Sequence, residues 1–272
     1  MTLAMMMTSC SIKFIYNQLD YLIPYYVDGM VTLDDMLEEK IEQRSLMLIN
    51  WHRHTQLDRY AQWLRDFQRD ANDQLTEEKV HQYIATLESY WESVSLRIND
   101  EMVLLLPLLN AEQRQELFAN LAEKNADFRE DYIDLNENER IEQFAERLVD
   151  SYETWLGDLT NEQEKTMNQA AAKMQSTAEL RLQRRQNWQR SLEKILTSND
   201  NKYDKRAALS HYFTEYNNRE NVAMKTAAEK NKMILAALTV QTVHSMTDEQ
   251  KSHFRTSTND YIRLFEDLAS NR

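Results

Sequence analysis

The sequence predicts an all-α protein, an elongated bundle of long amphipathic helices and helical hairpins, and three observations carry that prediction. The chain has 272 residues but only two glycines and two prolines. Sheets joined by tight turns consume both residue types, so a chain this poor in them spends its length in helices joined by polar turns. The background is rich in Leu, Ala, Glu, Gln, Arg, Lys and Met, all good helix formers. Apolar residues also recur at helical spacing: Val80, Ile84, Leu87, Trp91, Val94 and Ile98 step by 4, 3, 4, 3 and 4 along one face.

Taken in order, the expected helices cover 14–27, 33–70, 77–106, 110–131, 136–156, 160–197, 203–244 and 247–269. Their starts are legible as capping boxes, in which a Thr or Asn is followed three residues later by Glu or Gln. These are Asn110 with Gln113, Asn136 with Glu139, Thr160 with Gln163 and Thr247 with Gln250, and each follows an apolar residue. Thr32 with Asp35, and Thr76 before Glu77 and Glu78, are looser versions. The second helix carries Leu33, Leu37, Ile41, Leu48 and Trp51, continued by Leu57, Tyr60, Leu64 and Phe67. Ile141, Phe144, Leu148, Tyr152 and Trp155 mark the fifth, and Phe254, Tyr261, Phe265 and Leu268 the last. At about 1.5 Å per residue, 33–70 and 160–197 would each run about 57 Å, which favours an elongated bundle.

The helices over 160–197 and 203–244 read as one antiparallel hairpin about the polar turn Ser198-Asn199-Asp200-Asn201. Symmetry about residue 200 places Arg185 opposite Glu215, Arg181 near Arg219 and Glu220, and Trp188 against Tyr212. Arg–Glu pairs are therefore expected to cross the middle of the hairpin. Arg181, Arg184, Arg185 and Arg190, with Trp188, form the one local basic cluster of the sequence. It reads as paired by neighbouring helices, with contact to a phosphate or an acidic partner as the alternative.

Acidic residues outnumber basic ones by 45 to 32, for a net charge of −13. Taken over the whole chain, that balance argues against a nucleic-acid partner, which needs clustered Lys and Arg, and against docking a basic face on anionic lipid. No run of 18 apolar residues is present, so no spanning helix is expected. A single cysteine, Cys10, makes no intramolecular disulfide.

Met1 to Ser9 are apolar or small, and Cys10 follows directly. The stretch reads as the tail of a secretory signal ending at a processed cysteine. Met7-Thr8-Ser9-Cys10 resembles a bacterial lipoprotein box, in which the cysteine is lipidated and becomes the new N-terminus. Beyond it, Lys13, Tyr16-Asn17-Gln18-Leu19-Asp20-Tyr21-Leu22-Ile23 and the pair Tyr25-Tyr26 follow. So does the later segment Trp51-His52-Arg53-His54-Thr55-Gln56-Leu57-Asp58-Arg59-Tyr60-Ala61. Together these are similar to the start of an uncharacterised proteobacterial lipoprotein family. The resemblance spans about the first 70 residues and implies a lipid on Cys10 and a place in the envelope, but no activity. Ser11, where Asp would signal inner-membrane retention, implies the periplasmic face of the outer membrane. A cytoplasmic chain with a free cysteine is the alternative. The implied organisation is a residual signal over 1–9 and one helical domain over 10–272, divisible into a membrane-proximal part, 10–72, and a bundle, 73–272. Tyr16, Tyr21, Tyr25 and Tyr26 suit either a membrane–water interface or a segment packed on the bundle.

Candidate chemistry is sparse. His52 and His54 stand two apart on a helix and point to different sides, and His54 with Asp58 supplies too few ligands for zinc. His81, His211, His244 and His253 stand apart from one another. No Glu-x-x-His pair, Gly-x-Ser-x-Gly, phosphate loop or Cys-x-x-Cys occurs. No catalytic residue, metal, cofactor or small-molecule substrate is expected. Leu159 to Gln163, a Leu-Thr-x-x-Gln element with looser copies, resembles the repeated motif of the Spy- and CpxP-like periplasmic chaperones. A capping box explains the same residues. The expectation is a non-enzymatic, lipid-anchored envelope protein that binds an envelope partner or acts like a chaperone. A structural spacer is the alternative.

Overall fold

The computed structural model describes residues 9–218 and 221–270, and every regular element among them is helical. Most of the expected signal remnant, together with Arg219 and Glu220, lies outside the described residues, and of Cys10 only the backbone is described. The elements are α1 (Ser9–Asn17), α2 (Leu19–Asp28), α3 (Asp35–Thr55), α4 (Leu57–Asp73), α5 (Glu77–Leu105), α6 (Ala111–Tyr132), α7 (Glu137–Leu156), α8 (Asn161–Ala171), α9 (Ala178–Thr197), α10 (Lys202–Asn218), α11 (Val222–His244) and α12 (Asp248–Ser270), with a 3₁₀ turn at Leu106–Leu108. No helix among the described residues is long and apolar enough to cross a membrane.

The capping residues act where the sequence places them. At Asn110, Asn136 and Thr160 both bonds of the box form, side chain to N3 amide and N3 side chain back to the cap amide. Thr247 and Gln250 make the same reciprocal pair at 3.1 Å each. The boxes before α8 and α12 also meet in space. Gln163 and Gln250, 4% and 3% exposed, exchange amide hydrogen bonds at 3.0 and 2.8 Å, and Gln250 also donates to the Asp158 carbonyl at 2.8 Å. The Leu-Thr-x-x-Gln element thus fastens two helix starts together.

The long expected helices are broken. The span 14–27 divides at Gln18, 33–70 at Gln56, 160–197 over 172–177, and 203–244 ahead of Val222. Gln56 is buried and donates to Thr55 and Ser93, and the bend lets α4 turn to pack along α12. In the α8–α9 break, the Asn231 amide accepts from the Gln175 backbone N–H and donates to its C=O, both at 2.8 Å. A side chain 56 positions away therefore replaces the hydrogen bonds that a continuous helix would have made. The longest helix is α5, 29 residues and about 44 Å at 1.5 Å per residue. Two unbroken helices of about 57 Å do not form.

The core is divided into small clusters. Leu37 and Ile41 of α3 pack with Val31 and Leu109, where Gln113 of α6 donates to the Thr32 carbonyl. Phe128 of α6 packs on Ala178 and Leu182 of α9, beside a buried Asn125–Gln189 pair at 2.6 Å. Leu192 and Leu196 of α9 meet Leu209 and Phe213 of α10 over the end of α5. Ala145 and Leu148 of α7 meet Met167 and Ala170 of α8 and Leu238 of α11. α12 packs along α4 and α7 and receives α1 through Ile12 and Tyr16, with a Lys13–Asp267 ion pair at 3.0 Å. The segment 10–72 and the last helix therefore share one core.

Candidate binding cavity

α4, α5, α7, α11 and α12 surround a cavity of about 790 Å³. The wall from α5 is the periodic stripe itself: Val80, Ile84, Leu87, Trp91 and Val94, with Tyr83 and Tyr90 beside it. α4 contributes Tyr60, Trp63 and Phe67; α7 contributes Tyr152 and Trp155. α11 adds Leu235, Thr239 and Val243, and α12 adds Phe254, Tyr261 and Phe265. Each set recurs at three- and four-residue spacing, so one face of each helix is turned inward.

The aromatic rings brace one another. Trp63 stacks on Phe67 at 5.5 Å, and Tyr83 meets both edge-on at 5.6 and 5.1 Å. Tyr60 meets Phe265 at 5.8 Å and Tyr90 at 5.4 Å, and Trp155 meets Tyr261 at 5.1 Å. These are favourable offset and edge geometries, which hold the walls in place. Leu87 and Trp91 keep 43% and 70% of their surface exposed, so they form the rim.

Most polar atoms here are occupied by the protein itself. The Trp63 indole donates to the Tyr83 carbonyl at 3.1 Å, and the Tyr83 hydroxyl donates to Asp70 at 2.9 Å. Tyr152 and Thr239 share a hydrogen bond at 2.8 Å, and Thr258 donates to the Phe254 carbonyl at 2.7 Å. Burial pushes the Tyr152 phenol up to about 12, partly offset by the Thr239 bond. The lining holds no Lys, Arg, Asp or Glu.

His52 stands at one end. Its Nδ1 lies 2.9 Å from the Tyr16 hydroxyl and its Nε2 3.3 Å from the Tyr60 hydroxyl. Burial lowers its pKa, so the neutral ring is favoured. A neutral ring has one N–H, so one phenol donates to the bare nitrogen and the other accepts. Burial raises the Tyr16 phenol to about 12, against the pull of the Arg53 guanidinium. His54, two residues on, faces outward and bonds the Asn50 carbonyl at 2.6 Å. Among the described residues no three His, Cys, Asp or Glu gather as a metal site.

Of the four N-terminal tyrosines, one packs on the bundle and three do not. Tyr16 is half-buried against His52 and α12, whereas Tyr21, Tyr25 and Tyr26 are 66%, 68% and 71% exposed. Phe14 of α1 is 68% exposed.

A second cleft, about 720 Å³, holds Arg181, Arg184 and Arg185 of α9, with Tyr26 and Met30 of the α2 region and Phe128 of α6. The expected Arg185–Glu215 pair does not form. Arg185 lies over the Phe128 ring at 5.0 Å and Arg181 over the same ring at 5.4 Å, both on α6. Arg184 is the residue that faces α10, over the Tyr216 ring at 4.7 Å. Arg184–Tyr216 and Trp188–Tyr212 are both symmetric about residue 200, so the register holds, but symmetry does not say which side of α9 faces α10, and Arg185 lies on the side turned to α6. Trp188 does meet α10, where the Tyr212 hydroxyl donates to its carbonyl at 3.4 Å and its ring stacks on Phe213 at 6.3 Å. Arg190 bonds Asn187 outside the cleft.

Among the lining residues, the sequence reading singled out His52 and the arginines but not the cavity. No curated protein and no solved structure matches the chain. The family model that does match covers 26–218, from within α2 to the end of α10, and includes the α4, α5 and α7 walls and nearly all of the arginine cleft. The chain belongs to this family of unknown function, DUF6279.

Proposed function

We propose that this chain is a non-enzymatic binding protein of the bacterial envelope, held by a lipid on Cys10 at the periplasmic face of the outer membrane, that takes apolar groups of an envelope client into the aromatic cavity. The cavity carries the binding half of this reading. Its volume of about 790 Å³ lies within the roughly 300–1,000 Å³ of small-ligand sites. Its lining has no charged side chain, and its main polar atoms already bond one another. An occupant therefore gains chiefly by removing apolar surface from water, at about 25 cal/mol per Å². A chaperone-like role follows from the same chemistry, since unfolded clients expose apolar side chains. The lipoprotein-like start, with three exposed tyrosines soon after Cys10, supports the anchored location.

Three of the five tryptophans, Trp63, Trp91 and Trp155, line the cavity, so intrinsic fluorescence reads it directly. A brominated alkyl chain, which quenches indoles on contact, is expected to quench the full chain saturably. Val94→Phe, which narrows the cavity, is expected to weaken that titration, and the wild-type chain to suppress aggregation of an unfolded client. Quenching that does not saturate, or that Val94→Phe leaves unchanged, overturns the binding half. The intact mass of the mature protein from its native cells tests the anchor: a chain starting at Cys10 with added acyl groups supports it, and an unmodified Cys10 refutes it.

A further inference from the structure

We infer that the arginine cleft is a phosphate site for membrane lipid headgroups, and that the exposed tyrosines of α2 beside it lie in the membrane–water interface. The inference goes beyond the cavity and rests on the envelope reading only for the source of the phosphate.

Three guanidinium groups stand within one turn of α9, in a chain of net charge −13. Neighbours in so acidic a protein would be expected to pair them with carboxylates. Instead, among the described residues, Arg181, Arg184 and Arg185 form no ion pair, and each lies over an aromatic ring at 4.7–5.4 Å. A guanidinium has five N–H donors, all in its plane. Contact with Phe128 or Tyr216 holds each group in the cleft, and among the described residues no carboxylate takes up its donors. Arginine held this way is pre-ordered for bidentate bonds to phosphate oxygens. Lys124 lines the same cleft, so four cations stand against the two carboxylates Asp127 and Asp131. Asp127 is engaged by Lys124 at 3.4 Å.

Tyr26 supplies the source of the phosphate. It lines the cleft and keeps 71% of its surface exposed, and it adjoins Tyr25, which stacks on Tyr21 at 6.3 Å. Phenol rings with wet hydroxyls favour the headgroup level of a bilayer. One face thus pairs interfacial tyrosines with a cluster of guanidiniums, the combination that a phospholipid surface presents in complement. A free anion in solution gives the tyrosines no role.

The full chain carrying Cys10→Ser removes the lipid anchor and so tests the cleft apart from it. Sedimentation with vesicles of phosphatidylglycerol mixed into phosphatidylcholine is expected to show binding that rises with phosphatidylglycerol content and falls with salt. Arg184→Gln and Arg185→Gln are each expected to weaken it about fivefold, the loss of roughly one basic contact at a membrane surface. Tyr26→Ala is expected to weaken it as well, and Arg190→Gln, on the same helix but outside the cleft, to leave it unchanged. Circular dichroism confirms that each variant is folded. Equal binding by Arg184→Gln, Arg185→Gln and the parent overturns the site. Binding of inorganic phosphate, read by the fluorescence of Trp188 in the cleft, without any vesicle binding overturns the lipid as its source. Either failure leaves the mass test of Cys10 untouched.

Discussion

Removing either glutamine of the Gln163–Gln250 pair is expected to cost about 4 kcal/mol, and removing both to cost about 2 kcal/mol less than the sum. Gln163→Ala deletes the bond to its own cap amide, Thr160 N–H at 2.9 Å, both bonds to Gln250, and the donation to Ser245 Oγ at 3.2 Å. Gln250→Ala deletes the bond from Thr247 N–H at 3.1 Å, the bond to the Asp158 carbonyl at 2.8 Å, and the same shared pair. A net hydrogen bond is worth about 1 kcal/mol, and more where a buried partner is left unsatisfied. Each single variant thus loses four bonds and about 4 kcal/mol, roughly 8–16 °C in Tm for a chain of this size. The shared bonds are lost once in either single variant, so the double variant should cost about 6 kcal/mol, a coupling of about 2 kcal/mol. Urea unfolding followed at 222 nm measures all four members of the cycle. Additivity within about 0.5 kcal/mol, or single variants costing under about 1 kcal/mol, would refute the reasoning. The second result would leave the Leu-Thr-x-x-Gln element without its part in fastening α8 to α12.

Gly157 adopts φ 74° and ψ −154°, a region open almost only to glycine, and a Cβ there would meet His253 Nδ1 at 3.3 Å. Gly157→Ala should therefore cost about 2 kcal/mol, read as a lowered urea midpoint. Asn231→Ala leaves the Gln175 amide and carbonyl to water and should cost about 1–2 kcal/mol by the same measurement. Burial lowers the His52 pKa in the folded protein. Above about pH 6.5 both states hold it neutral, and below that the unfolded state takes up the proton first, so stability falls with pH until the folded ring also titrates. His52→Gln should remove that part of the loss as the pH falls below about 6.5, and unfolding midpoints there that run parallel to wild type would count against a buried neutral ring.

The helix starts were legible to the residue at Asn110, Asn136 and Thr160 because a capping box is local: donor and acceptor lie three positions apart. The breaks were not, because their causes are remote. Nothing around Gln175 announces that Asn231 will bond its backbone, and the segment contains neither Gly nor Pro. The hairpin contact of Trp188 with α10 could be read from symmetry, but which arginine turns toward α10 depends on Phe128 of α6. The cavity was hidden for a different reason. Its α5 wall is the very stripe that identified the helix, and an apolar face reads the same whether it meets another side chain or lines a space. Only the exposure of Trp91, 70%, separates the two, and exposure is a property of the assembled helices.

The position of α12 sets an order of events for the chain. Residues that meet across the α4–α12 seam are about 190 positions apart, as in Gln68 to Asn259 at 3.2 Å. Contacts this distant in sequence form late. Until residues 248–270 have joined, the inner faces of α4 and α7, with Trp63, Phe67 and Trp155, have no last wall to close on. A nascent chain therefore displays the aromatic faces of α4 and α7 to its surroundings until its last helix has been made.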